Sequence, residues 1–382
     1  MAYIRSYKTA DGSGTPAWYE TPGDYRHSFF ITAWWLLVAL TGLLITVFGQ
    51  NFLPAKFSYD AVLIRELLDF SDLWNGFSFD GFVNTARVWA VVFYVLPQTV
   101  VIPAYYCLLV LAVVHLLGVH EVRNGRYHLI AGGWVMCSAI FLSQPSKEMI
   151  AIPVALYFCL AASGGARFLA TILFLVFAAF VRQYWVICYF YFFVVLTALR
   201  MHISQRSHLA LCVFLVGFIL PFVAANVLGI EALTEARMSV NAERIDSPDA
   251  RSAFNNIFEN TSISTDIANA LVSWLYINIP VALLVEATPT YVFFAAFQTS
   301  SLWMFVAGST TLLRDAKRIP HLDSNYLRCV AFVISYSLTQ AIFEPDFGSF
   351  LRHELVLMIP MLVVVFYTAH ASRSRSTLIK FP

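Results

Sequence analysis

Residues 129–163 read LIAGGWVMCSAIFLSQPSKEMIAIPVALYFCLAAS, and residues 168–199 read FLATILFLVFAAFVRQYWVICYFYFFVVLTAL. Each stretch is apolar apart from one polar break: Gln144-Pro145-Ser146-Lys147-Glu148 in the first, Arg182-Gln183 in the second. A helix needs roughly 20 residues to cross the hydrocarbon of a bilayer. Each stretch is too long for one such helix and neither half is long, so each reads as two short helices meeting at a hairpin. Both hairpins turn at a cation, and the first carries a carboxylate beside it.

Outward from these hairpins the chain continues in the same style. Apolar runs occupy Phe29–Phe48, Val100–Leu117, Leu209–Val227, Tyr291–Leu313, Leu327–Phe343 and Leu355–Ala371. With the hairpins they give about ten crossings. Apolar residues make up 59% of the chain and charged ones 12%, and the mean hydropathy is +0.70. A soluble domain is about half apolar and about a quarter charged. The expected fold is therefore all-α and polytopic, a single integral membrane domain over residues 1–382. No cleavable signal is expected, because the stretch before Phe29 is longer and less basic than a signal n-region. Cys107, Cys137, Cys159, Cys188, Cys212 and Cys329 lie in or beside apolar runs without CxxC spacing, and read as small apolar fillers.

The basic residues orient the set. Arg5, Lys8 and Arg26 precede the first span; Arg123, Arg126, Arg167, Arg200, Arg206, Arg314, Lys317 and Arg318 lie in later turns; Arg373, Arg375 and Lys380 close the chain. With ten helices all of these fall on one face, which the positive-inside rule makes cytoplasmic, with both termini inside. The opposite face then carries a first loop from about Gln50 to Gln98, the two hairpin breaks, a loop from Gly229 to about Pro289, and the turn from Glu344 to His353. Within the first loop, Asp60–Phe70 has apolar residues at Val62, Leu63, Leu67 and Phe70 and reads as a short interfacial helix. Ile267–Ile279 reads as another, or as a re-entrant piece. No internal repeat is visible, which weakens a transporter built from inverted halves.

The candidate chemistry lies on this second face. Ionisable groups at membrane depth are expensive and mark functional sites, and Lys147, Glu148 and Arg182 sit at that depth. The competing reading is that Lys147 and Arg182 snorkel to head groups. The last turn adds Glu344, Asp346, Arg352, His353 and Glu354. A carboxylate can accept a hydroxyl proton, and an arginine fork can hold phosphate oxygens and offset charge on a leaving group. The alternative is a surface turn in which Glu344 pairs with Arg352. His353 is the weakest of the set, since a lone interfacial histidine is more often a hydrogen-bonded spacer than a catalyst, and Asp60 is as readily an N-cap. Glu235, Arg237, Glu243, Arg244, Asp246, Asp249 and Arg251 read as a solvated charged face. Arg237, Arg244 and Arg251 recur every seven residues, and on one helix they would form a track for anionic glycan or diphosphate. No GxxxxGK[ST], HExxH or nucleophile elbow is present, and no basic cluster with interleaved aromatics points to nucleic acid.

A first span, a long acidic loop with an interfacial helix, and hairpins ending in Ser146-Lys147-Glu148 and Val181-Arg182-Gln183 resemble GT-C membrane glycosyltransferases. Those enzymes take sugars from polyprenyl-phosphate or polyprenyl-diphosphate donors. Leu53-Pro-Ala-Lys-Phe-Ser-Tyr-Asp60 and the overall size look like bacterial Wzy-type polymerases of O-antigen, capsule or exopolysaccharide. The resemblance implies an inner-membrane enzyme that joins undecaprenyl-diphosphate-linked repeat units at the periplasmic face, with inversion and with no cofactor or obligatory metal. Its implied partners are the lipid-linked glycan, the bilayer and a chain-length regulator in the membrane. Carried onto this sequence, the resemblance marks Asp60 as the first-loop acid, Lys147 and Glu148 as the hairpin pair and Arg182 as the hairpin arginine; with the last turn added, Asp60, Glu148 and Glu344 are the candidate bases. Lys147, Arg182, Gln183, Arg352, His353 and Arg244 are the candidate ligands of substrate or diphosphate. The acidic pair that some of these transferases carry after the first helix is absent here, which leaves the base open among the three carboxylates. Two other classes compete: a GT-C transferase that adds one sugar from a polyprenyl-phosphate donor, and a flippase for lipid-linked glycan.

Overall fold

The structure, a computed structural model, describes residues 22–52, 59–69, 73–230, 232–242, 253–285, 289–318 and 324–378. Among these the chain is helical, and the one β-type pairing is an isolated antiparallel bridge between Ala253 and Asp346. The first helices are α1 (Pro22–Phe48), α2 (Tyr59–Leu68), α3 (Gly81–Val95) and α4 (Gln98–Leu117). The two hairpins follow as α5 (Gly125–Phe141) with α6 (Lys147–Leu160), and α7 (Gly164–Phe180) with α8 (Trp185–Ile203). After α9 (Ser207–Val227) come the short helices α10 (Glu235–Ala242), α11 (Ile263–Asn278) and α12 (Val281–Val285). The chain ends with α13 (Pro289–Arg318), α14 (Ser324–Phe343), α15 (Phe347–Glu354) and α16 (Met358–Leu378).

Seven of the described helical segments are long and apolar enough to cross a membrane: those within α1, α4, α8, α9, α13 and α14, and the one running from Phe347 to His370. The remaining three of the ten expected crossings coincide with α5, α6 and α7, which are shorter. At 1.5 Å per residue the 14 residues of α6 rise only about 21 Å, against a hydrocarbon core of roughly 30 Å. The end of α6 is set by its neighbours. Its terminal carbonyls accept from the Arg328 guanidinium (at Phe158), from Asn325 Nδ2 (at Leu160, 3.1 Å), and from Arg167 Nε at the following Ala161 (3.0 Å). Cationic and amide donors thus satisfy the carbonyls that a helix leaves open at its C-terminus.

The bundle is built around α14, which packs on α6, α8, α11 and α16. Its spanning window is 78% buried, against 28% for α1, α8 and α9. The outer helices are apolar all round and expose large side chains such as Leu36, Leu37 and Leu40 on α1, and Leu108 and Leu111 on α4. A helix apolar on every face but exposed on most of it is solvated by lipid. Inward-facing polar groups join the helices. Trp34 Nε1 donates to His128 O (3.1 Å) and Trp35 Nε1 to His128 Nδ1 (3.2 Å), fixing α1 on α5. Because Nδ1 accepts there, His128 Nε2 carries the proton and donates to Val122 O at 2.7 Å. All six cysteines are free thiols.

Two expectations change here. The segment from Gln50 to Gln98, read as loop with one interfacial helix, contains α2 as expected but also the whole of α3. Asp80 caps α3, its Oδ1 accepting from Phe82 N (2.7 Å) and Val83 N (3.4 Å). The reading of Arg237 as part of a solvated charged face changes as well. On α10 Arg237 is fully buried, donating to Asn256, to Ser273 and to Ala341 O (2.9 Å). It staples α10 to α11 and α14. Arg244 and Arg251 lie outside the described residues.

Helices α13 and α16 meet backbone to backbone. A Cβ on Gly308 would stand 2.7 Å from Val364 O, so this contact requires glycine, as small-residue contacts between membrane helices do. We expect Gly308→Ala to cost about 1–3 kcal/mol, read as a lower thermal midpoint in detergent. Gly165→Ala on α7, where a Cβ meets nothing within 4 Å, leaves that midpoint unchanged or raises it.

Candidate functional site

Three turns converge at one end of the bundle. Ser146 caps α6 by accepting from Met149 N, and this puts Lys147 and Glu148 in the first helical turn. There the positive end of the helix dipole favours a carboxylate. Arg182 occupies the α7–α8 turn, its N–H donating to Phe177 O (3.1 Å) and its carbonyl accepting from Trp185 N (2.9 Å). Asp346 caps α15 through Ser349 N (2.8 Å), so Arg352 and His353 fall in its last turn. Helix α3 braces the first two turns. Trp89 Nε1 donates to Ser146 O (3.3 Å), and Asn84 Nδ2 donates to Phe180 O (2.8 Å).

The side chains from these turns form one network. Glu148 is fully buried, and its Oε1 receives the Arg182 guanidinium in a close ion pair. The same oxygen lies 3.6 Å from Arg352 Nε and 3.4 Å from His353 Nε2. Arg182 Nη1 also donates to Tyr184 Oη (3.0 Å) and Tyr336 Oη (3.3 Å), and Tyr336 Oη donates to His353 O (3.3 Å). His353 Nδ1 forms a short hydrogen bond with Glu344 Oε1. At the rim, Arg352 Nη1 meets Asp60 Oδ1 of α2 at 3.0 Å. Lys147 lies within electrostatic reach of Asp60, Glu148, Arg182 and Arg352, with its ammonium 3.2 Å from the centroid of the Phe82 ring.

The network has two layers. The Glu148, Glu344 and Arg182 side chains are 0%, 2% and 3% exposed, whereas those of Asp60, His353 and Arg352 are 12%, 14% and 18% exposed. Glu344 lies in the turn between α14 and α15. Burial pushes its carboxyl up to about 8, helped by Asp346 and opposed by Arg182 and Arg352. At neutral pH it is therefore the acid, donating to His353 Nδ1, and the remaining imidazole proton sits on Nε2, facing Glu148. With Glu344 neutral, three cations (Lys147, Arg182 and Arg352) face two carboxylates (Asp60 and Glu148), and the cluster favours an anion. Glu148 Oε2, Glu344 Oε2 and Arg352 Nε have no hydrogen-bond partner among the described residues. Buried polar atoms are rarely left so.

Of the residues singled out from sequence, Asp60, Lys147, Glu148, Arg182, Glu344, Arg352 and His353 come together. Arg182 does not snorkel, and Glu344 pairs with His353 rather than with Arg352 at the surface. His353, the least favoured from sequence, joins two of the carboxylates. Asp60 lies inside the first turn of α2, with its carboxylate on Arg352. Gln183 stands aside and donates to Phe79 O at 2.5 Å. Sequence reasoning missed Tyr184 and Tyr336. Tyr184 had a signal, two residues from Arg182; Tyr336 is one tyrosine within an apolar span and had none.

Removing Arg182 strands the Glu148 charge in the bundle. We expect Arg182→Ala to cost about 3–5 kcal/mol, and Glu148→Ala/Arg182→Ala to cost less than the sum of the single variants; thermal unfolding in detergent measures both. Glu344 gives a pH signature. Its folded-state pKa of about 8 stands above the ordinary 4.5, so its contribution is complete at low pH and is lost as pH rises through 8. The expected slope is about 1.4 kcal/mol per pH unit between those two values and vanishes above pH 8, and Glu344→Gln removes it.

Compared with known proteins, the chain matches no family model, no curated protein and no solved structure.

Proposed function

We propose that the chain is a membrane glycosyltransferase that polymerises undecaprenyl-diphosphate-linked oligosaccharide units at the periplasmic face of a bacterial inner membrane. The observation that carries this reading is the Asp60–Arg352 pair, held at the rim of a buried, net cationic network. A lipid-borne diphosphate is an anion delivered at membrane depth, and its displacement by a sugar hydroxyl needs one base and several fixed cations.

Asp60 is the base in this reading. Glu148 already holds Arg182 and is closed off, and Glu344 is protonated at neutral pH. The acceptor hydroxyl gives its proton to Asp60 as its oxygen bonds the anomeric carbon. The bond from that carbon to the diphosphate oxygen breaks, and its electron pair leaves with the diphosphate. Arg352 and Lys147 offset the charge that develops there, so no metal is required. Attack opposite the leaving group inverts the anomeric centre. Glu148, Arg182, Tyr336 and the Glu344–His353 pair hold Arg352 in place and do not touch substrate.

The test is polymer formation by the protein in proteoliposomes supplied with undecaprenyl-diphosphate-linked repeat units. Asp60→Asn is expected to lower the rate by about 10²–10⁴-fold while leaving binding of the lipid-linked unit intact. Full polymer length and yield from both Arg352→Lys and Arg352→Ala would sink the cationic-clamp reading. Deletion of the gene separates the classes: a single completed repeat on the carrier marks a polymerase, a truncated repeat a single-sugar transferase. Completed units trapped in the inner leaflet mark a flippase.

A further inference from the structure

Immediately after His353, Glu354 faces away from the network towards α13. The residue is 6% exposed, and its Oε1 accepts from Gln298 Nε2 at 2.7 Å; Gln298 is 2% exposed. Two atoms of this pair have no partner among the described residues: Glu354 Oε2 and Gln298 Oε1. Both are acceptors as drawn, and they belong to two planar groups already joined by one hydrogen bond. The groups facing Glu354 are few. Helix α13 offers Gln298, and α5 offers the neutral thiol of Cys137. On its own helix, Arg352 and His353 are engaged with Asp60, Glu148 and Glu344. Among the described residues no cation reaches it.

We propose that Glu354 and Gln298 form a proton-binding site, in which the carboxyl is held as the neutral acid. One proton on Oε2 satisfies both orphan atoms at once. The acid O–H donates to Gln298 Oε1 while Gln298 Nε2 donates to Oε1, closing a ring of two parallel hydrogen bonds. The ring latches α15 to α13, one residue from His353. Loss of the proton sets two acceptors against each other and leaves a carboxylate among apolar side chains, a state that costs far more than the neutral one. Alkaline pH therefore releases α15 from α13, so this pair is a pH-sensitive support for the network beside it. The inference stands on the pair's own geometry and does not require the glycosyl-transfer reading.

Glutamine at position 354 reproduces the ring as an amide–amide pair, which gives the proposal its test. Infrared difference spectra of the purified protein at neutral pH, wild type minus Glu354→Gln, are expected to show a protonated-carboxyl C=O band that persists in a Glu344→Gln background. In that background Glu354→Gln is expected to melt within about 2 °C of its parent at neutral pH and to resist alkaline pH better. A difference spectrum showing only a carboxylate band overturns the proposal. So does a loss of more than about 5 °C on substitution to glutamine, since it would mean that the negative charge is what the fold uses.

Discussion

The ion pair between Glu148 and Arg182 is the constraint on which the rest of the site depends. Neither group is tolerable alone among apolar helices, and together they are held only because each has further partners. Arg182 adds two tyrosine hydroxyls, while Glu148 adds the α6 N-terminus, Arg352 and His353. The pair joins the α5–α6 turn to the α7–α8 turn, and so fixes both hairpins at one depth. Every other member of the network is placed relative to it.

The three carboxylates are made chemically different by position alone. Glu148 is at a helix N-terminus between guanidiniums, Glu344 is buried against a histidine, and Asp60 is at the rim with one arginine. Distinct environments that push like groups apart are how one site obtains an acid, a structural anion and an available base. The arrangement needs no exotic residue, only helices that end at the right depth.

Much of this was legible in the sequence because membrane helices report their ends clearly. A charged break in an otherwise apolar run has few explanations, and Lys147, Glu148 and Arg182 announced both turns. The convergence of Asp60 with Arg352 was not legible, because nothing local says which loops meet across a bundle. Helix α3 went unseen for a different reason. Its fifteen residues are too few to span and include Asn84 and Arg87, so the segment read as loop, yet Asn84, with Trp89, is what braces the two hairpins. The seven-residue arginine spacing misled because its first member, Arg237, is spent on buried hydrogen bonds. Tyr336 was invisible for the reason Arg182 was obvious: one hydroxyl hardly disturbs an apolar run.

Helix α15 is where these separate constraints meet. With about 100° of rotation per residue, Arg352, His353 and Glu354 necessarily face three directions: Asp60 of α2, the Glu148–Glu344 interior, and Gln298 of α13. A small rotation of this eight-residue helix would disturb rim, interior and support together. Its start is anchored from the segment that precedes α11. Ala253 bridges Asp346, Phe254 N donates to Pro345 O at 2.7 Å, and the Phe254 and Phe347 rings meet edge to face at 4.4 Å. Helix α15 is thus tied at its first turn to one loop and at its last to α2, α6, α13 and α14. Whatever binds at the rim pulls on Arg352, and through it on a helix whose other contacts lie in the interior of the bundle.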